Sequence, residues 1–237
     1  MKIKNDFSPN FSPKKRKKKT IKFIIIHYTG MQSEIETVKR LKNIGSRVSC
    51  HYLINRKGLI TQMVMDNQVA WHAGKSKWKN FNNLNENSIG IELVNKGHQF
   101  GYQSFSSEQI YSLIDLCKNL KKKYIIKREN FLGHSDIAPL RKLDPGEKFP
   151  WKKLSEHNLG CWHWNSKKKL KLINKKKIEN LFFKNLYKIG YRYFKINKRV
   201  KKEDKLIITS FQKHYLPQNV TGKIDSKTLK ISHILAN

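Results

Sequence analysis

The stretch Gly133-His134-Ser135-Asp136-Ile137-Ala138-Pro139-Leu140-Arg141-Lys142-Leu143-Asp144-Pro145-Gly146 places an imidazole, an ammonium and a carboxylate in one short segment punctuated by proline and glycine. Far upstream a second imidazole, His27, follows the apolar run Phe23-Ile24-Ile25-Ile26, which reads as a buried strand. Two histidines and one aspartate supply three protein ligands for a zinc ion and leave its fourth tetrahedral position open to water, the arrangement of a hydrolase. His27, His134 and Asp144 are the candidate ligands.

Around these two blocks, strand-like and helix-like segments alternate from Ile21 to about Trp164. Ile35, Val38 and Leu41 are spaced like one face of a helix that ends near Gly45. A strand pair follows, His51 to Ile54 and Leu59 to Val64, joined at the turn-prone Asn55-Arg56-Lys57-Gly58. From Ser88 to Val94 the pattern alternates, with Ile89, Ile91 and Leu93 on one face and Ser88, Gly90 and Glu92 on the other. Ser106 with Gln109 resembles a capping box opening a helix whose stripe is Ile110, Leu113, Ile114, Cys117 and Leu120. Such alternation predicts an α/β layer fold around a central sheet.

On either side of this region, 21–164, the composition changes. Residues 1–20 are polar and basic, carry Pro9 and Pro13, and read as a disordered arm. Residues 165–177 are lysine-rich and read as a linker. Residues 178–237 show three short helical patterns: Ile178, Leu181, Phe182 and Leu186 ending at Gly190; Leu206 to Tyr215 stopped by Pro217; and a last one with Asp225 as N-cap. A tail of this size folds alone only marginally, which favours a binding module over a second catalytic unit.

The formal net charge is +33. It is compatible with a polyanionic partner, but it reads more simply as a lysine-, asparagine- and isoleucine-rich composition on a solvated surface. Without a helix-turn-helix, zinc-finger or aromatic RNA-binding signature, only electrostatics support nucleic-acid binding. Cys50, Cys117 and Cys161 form no C-x-x-C pair, so disulfides do not organise the fold. No apolar run reaches the roughly 20 residues that span a bilayer. No apolar segment fit for cleavage follows the basic cluster Lys14 to Lys19, which points to a cytoplasmic location, while a wall-binding tail would suit the cell envelope.

An amide hydrolase of this type also needs a carboxylate to take a proton from water and a cation beside the developing oxyanion. Glu92, on the polar face of its strand, suits the first role, and Lys142, two residues before Asp144, the second. Singly these residues say little: the chain offers nine histidines, and Lys and Arg fill 50 of its 237 positions. The joint pattern says more. FIIIHYTG (23–30), HYLINRKGLITQMV (51–64), AWHAGKSKW (70–78), NENSIGIELVNKG (85–97) and GHSDIAPLRKLDPGEKFPW (133–151) closely resemble, in order, the type 2 N-acetylmuramoyl-L-alanine amidases, the AmpD/AmiD-like zinc amidases.

That resemblance implies a central mixed sheet flanked by helices. It implies one zinc ion on His27, His134 and Asp144, Glu92 as general base and Lys142 as oxyanion donor. It sets His72, Trp71 and Tyr28 near the substrate, a peptidoglycan strand or muropeptide, and makes His51 structural. The other histidines, His98 and His214 among them, read as surface or packing residues. The tail, with Phe211-Gln212, Leu216-Pro217 and Thr221-Gly222-Lys223-Ile224-Asp225, resembles the helical peptidoglycan-binding domain appended to cell-wall hydrolases. The competing expectation is a recognition module that uses the same cleft without chemistry.

Overall fold

The computed structural model of the chain describes residues 2–164, 175–196 and 198–237. Its centre is a six-stranded mixed sheet of β1 (Ile3–Asn5), β5 (Ile60–Gln62), β4 (Tyr52–Ile54), β9 (Ser88–Leu93), β3 (Phe23–Tyr28) and β10 (Phe131–Gly133), in that spatial order. Only the β4–β5 pair, joined by the Asn55–Gly58 turn, is antiparallel. β3 is apolar through four residues because it is buried on both faces, the pattern of a parallel strand covered on each side.

One face carries Ile24, Ile26, Ile89, Ile91 and Leu93, which pack against α2 (Ser107–Tyr124) through Ile110, Leu113, Ile114, Cys117 and Leu120. Ser106 caps that helix by accepting the Gln109 N–H. The amphipathic α1 (Glu34–Lys42) buries Leu41, while Ile35, expected on its apolar face, lies in the first turn and is 79% exposed.

The opposite face is covered by the tail: α5 (Lys175–Ile189), α6 (Lys201–Tyr215) and α7 (Ser226–Leu235). Phe182, Phe183, Leu186, Tyr191, Ile207 and Phe211 share one apolar cluster with Phe23, Ile25 and Leu132 of the sheet and with Ile137 and Trp78 outside it. Each such side chain, fully buried, contributes about 1.5–3 kcal/mol. The three helices therefore do not form a self-contained core, as a separate 178–237 domain would. Gly190 (φ +144°) seats the end of α5 directly on the Trp78 indole, where a Cβ would stand 2.7 Å from Nε1. Most of the expected linker, 165–177, lies outside the described residues, and its last three residues open α5.

The expectation of a disordered arm over 1–20 is overturned. β1 adds to the sheet beside β5, and β2 (Phe11–Ser12) pairs antiparallel with β6 (Val69–Ala70). Asn10 is buried and donates to the carbonyls of Leu41, Asn43 and Val48. Arg16 donates to those of Asp66, Asn85 and Ser88. Hydrogen bonds to distant backbone order a segment whose own composition does not. The three cysteines are free, and Cys50 and Cys117 are buried. Among the described residues no helix is long and apolar enough to cross a membrane.

Candidate metal centre

β3 and β9 run in a register that sets His27 beside Glu92, so both side chains leave the same face at the C-terminal ends of the strands. β10 pairs with β3 as far as Gly133 opposite Ile26, and the next residue, His134, opens the short helix α3 (His134–Ile137) beside His27. The following loop folds back, with Ser135 N–H donating to the Asp144 carbonyl at 2.8 Å. Nδ1 of His27, Nδ1 of His134 and Oδ2 of Asp144 then close a triangle with sides of 2.9, 3.0 and 3.0 Å. All three residues are buried. Ligand atoms about 2.0–2.1 Å from a tetrahedral ion lie roughly 3.3 Å apart, so the triangle fits one such ion with little adjustment.

The remaining ring nitrogens determine which lone pairs face inward. Ser88 Oγ donates to the Leu84 carbonyl (2.6 Å), so it accepts from His72 Nε2–H at 3.1 Å. His72 Nδ1 is then an acceptor, and His27 Nε2–H donates to it at 3.0 Å. That leaves the His27 Nδ1 lone pair toward the triangle. His134 reaches the same state by donating Nε2–H to the Ala73 carbonyl at 3.1 Å. Burial, reinforced by His134, pushes the His27 imidazole down to about 4, so it is neutral near pH 7.

Glu92 lies next to this group. Its Oε2 is buried with no hydrogen-bond partner among the described residues. Burial, together with the charge of Asp144 and against the pull of Lys142, raises its carboxyl to about 8. Lys142 is half-buried, and its Nζ makes no hydrogen bond or salt bridge among the described residues. His27, His134, Asp144, Glu92, Lys142, Tyr28, Trp71 and His72 all line one cleft of about 650 Å³. His72, expected as a substrate contact, lines the cleft, and both its ring nitrogens are engaged, by His27 and by Ser88, so it also supports His27 from behind. Gly90 makes room for that ring, since a Cβ there would lie 2.5 Å from His72 Nδ1.

A profile of the N-acetylmuramoyl-L-alanine amidases matches residues 17–147. The chain belongs to this amidase family. AmiD, an N-acetylmuramoyl-L-alanine amidase of Escherichia coli (strain K12), is 35% identical over 231 residues, covering 91% of this chain and 82% of AmiD. The structure of E. coli AmiD with the substrate anhydro-N-acetylmuramic acid-L-Ala-D-γ-Glu-L-Lys superposes with a TM-score of 0.78 at 32% identity, covering 91% of this chain and 88% of that one. AmpDh3 from Pseudomonas aeruginosa, in complex with an anhydromuramic pentapeptide, gives 0.77 at 28% identity over 94% and 92%.

Two features of the amidase cleft escaped the sequence. His98, read from the sequence as a surface or packing residue, accepts from Tyr28 Oη–H at 2.9 Å and donates to Glu147 Oε2 at 3.0 Å, and it lines the cleft. Asn85 Oδ1 accepts from the backbone of His72 and Ala73, holding the AWHAG loop in place.

Proposed function

We propose that this amidase is a zinc-dependent hydrolase of the amide bond between the lactyl group of N-acetylmuramic acid and the L-alanine of the stem peptide, acting on peptidoglycan or muropeptides. One observation carries the reading: three inward-facing ligand atoms within about 3 Å of one another, beside a buried carboxyl oxygen that has no partner among the described residues. His27, His134 and Asp144 would hold the ion. When bound, zinc supplies Lewis acidity, making water acidic near neutral pH and polarising a carbonyl.

Glu92 takes a proton from the attacking water at Oε2 and returns it to the departing amine of L-alanine. With Oε2 buried and the carboxyl raised to about 8, Glu92 suits a role in which it both accepts and gives up a proton near neutral pH. Lys142 directs Nζ at the oxygen where negative charge develops, unhindered by an ion pair that it would first have to break. Tyr28 and Trp71 offer ring surface to the glycan and peptide at the cleft rim.

The test uses the full chain. Metal analysis should find one zinc per chain, and mass spectrometry of digests of an anhydro-muropeptide should find free stem peptide beginning with L-alanine. Chelation should stop the release and zinc should restore it. Turnover that survives complete chelation would refute the zinc mechanism, and cleavage at any other bond would refute the substrate assignment.

A further inference from the structure

The turn that presents His134 is anchored from behind by the tail. Asp136, two residues on, is 1% exposed and accepts from three donors. Its Oδ2 receives the Gly133 N–H at 2.7 Å and His214 Nδ1–H at 2.7 Å; its Oδ1 receives the Tyr191 hydroxyl at 2.5 Å. Ser210 Oγ donates to the Ser135 carbonyl at 2.7 Å. The N–H of Ser135 in turn donates to the Asp144 carbonyl, so one residue, Ser135, links both ligand segments to α6. The His214 ring is itself clamped, stacked at 3.9 Å between Trp151 and Tyr215. Tyr191 packs edge-on to Trp78 at 4.8 Å.

His134, Ser135 and Asp136 are consecutive: the first faces the metal triangle, and the next two are held by Ser210, Tyr191 and His214 of the tail. The Asp136 carboxylate is buried at the interface between two parts of the chain, and two of its three donors come from the far part.

We propose that the C-terminal helical segment is a positioning part of the metal centre: through Tyr191, Ser210 and His214 it fixes the His134–Asp136 turn and so sets zinc affinity and turnover. Tethering to the wall is not needed to explain why it is attached. The inference rests on the reading of His134 as a ligand. It assigns the tail an action on soluble substrate, where avidity for a polymer has no part.

The test measures zinc affinity by competition with a chromogenic chelator, and kcat and KM on a soluble anhydro-muropeptide, using the full chain. Tyr191→Phe removes one hydroxyl, and His214→Phe keeps the aromatic stack but removes the donor to Asp136. Each should weaken zinc binding about tenfold, as loss of a partner behind a ligand does. At saturating zinc each should lower kcat while leaving KM within about twofold, since the cleft walls are untouched. His214→Asn, which restores a donor near the Nδ1 position, should recover most of the affinity. If the phenylalanine variants lose thermal stability but keep wild-type zinc affinity and kcat, the tail is only a prop for the fold and the inference is overturned. Should His214→Phe not fold, Tyr191→Phe decides alone. A wild-type chain that binds no zinc would remove the functional reading as well, whereas tight wild-type binding matched by the variants removes this inference only.

Discussion

Replacing Gly90 by alanine inserts one methyl group between β9 and the His72 ring. An ideal Cβ would stand 2.5 Å from Nδ1 and 2.6 Å from Cδ2 of that ring, against about 3.5–4.0 Å for ordinary contact, so the ring must retreat by about 1 Å. The ring has no slack, because it is held at 3.0 Å to His27 and 3.1 Å to Ser88. Breaking the His27 bond strands a buried N–H and a buried acceptor, at a cost of about 1–3 kcal/mol for each unpaired group. It also releases the tautomer and tilt of His27, for which a loss of about 10–100-fold in zinc affinity is the ordinary consequence. At roughly 2–4 °C per kcal/mol for a chain of this size, a fall of several degrees in melting temperature should accompany it. Chelator competition and thermal melts measure both, and a double-mutant cycle isolates the cause: in a His72→Ala background, Gly90→Ala should cost almost nothing further. Wild-type zinc affinity in Gly90→Ala, or equal costs in both backgrounds, would refute the argument that His72 holds His27.

Glu92→Gln keeps the shape and the metal triangle but cannot accept a proton; it should bind zinc like wild type and lose about 10²–10⁴-fold in kcat, read by mass spectrometry of muropeptide digests. Lys142→Met should lower kcat about 10²–10³-fold with a smaller change in KM, separable by steady-state kinetics on one soluble muropeptide. The metal-free protein should show a pH dependence of opposite sign to ordinary acid denaturation. Because the folded carboxyl of Glu92 is raised from 4.5 to about 8, its contribution to stability is complete below the lower value and lost as pH climbs through the upper one. His27, lowered to about 4, changes its contribution only below 6.5. Chelated wild type should therefore melt lower at about pH 8.5 than at about pH 6.5, and Glu92→Gln should flatten that interval.

What could be read from the chain was whatever local pattern determines. The strand Phe23–Tyr28, the β4–β5 turn, the alternation of Ser88–Leu93 and the α2 stripe all follow from side-chain period, and period also puts Glu92 on the face of Gly90 and Ser88. His27, His134 and Asp144 came from residue type and from blocks matched in order, and the structure brings all three together. Periodicity says that a face is buried but not against what, so the apolar faces of α5 and α6 suggested a separate small domain. β1 and β2 stayed hidden because their pairing depends on strands some 60 residues away, while their own prolines and lysines argue for disorder. His72 and His214 show a further limit: which ring nitrogen meets which partner is settled only once distant segments meet in three dimensions.

Arg16 lies 2.7 Å from His51 Nε2; His51 Nδ1 accepts the Gly90 N–H at 3.0 Å; and Gly90 is the floor beneath His72. A lysine-studded leader that looks expendable is thus four handshakes from the hydrolytic centre. Proteolytic nicking or an intrusive fusion just ahead of Phe23 would loosen that line at its far end, and catalysis would register the injury without any cleft residue having been altered.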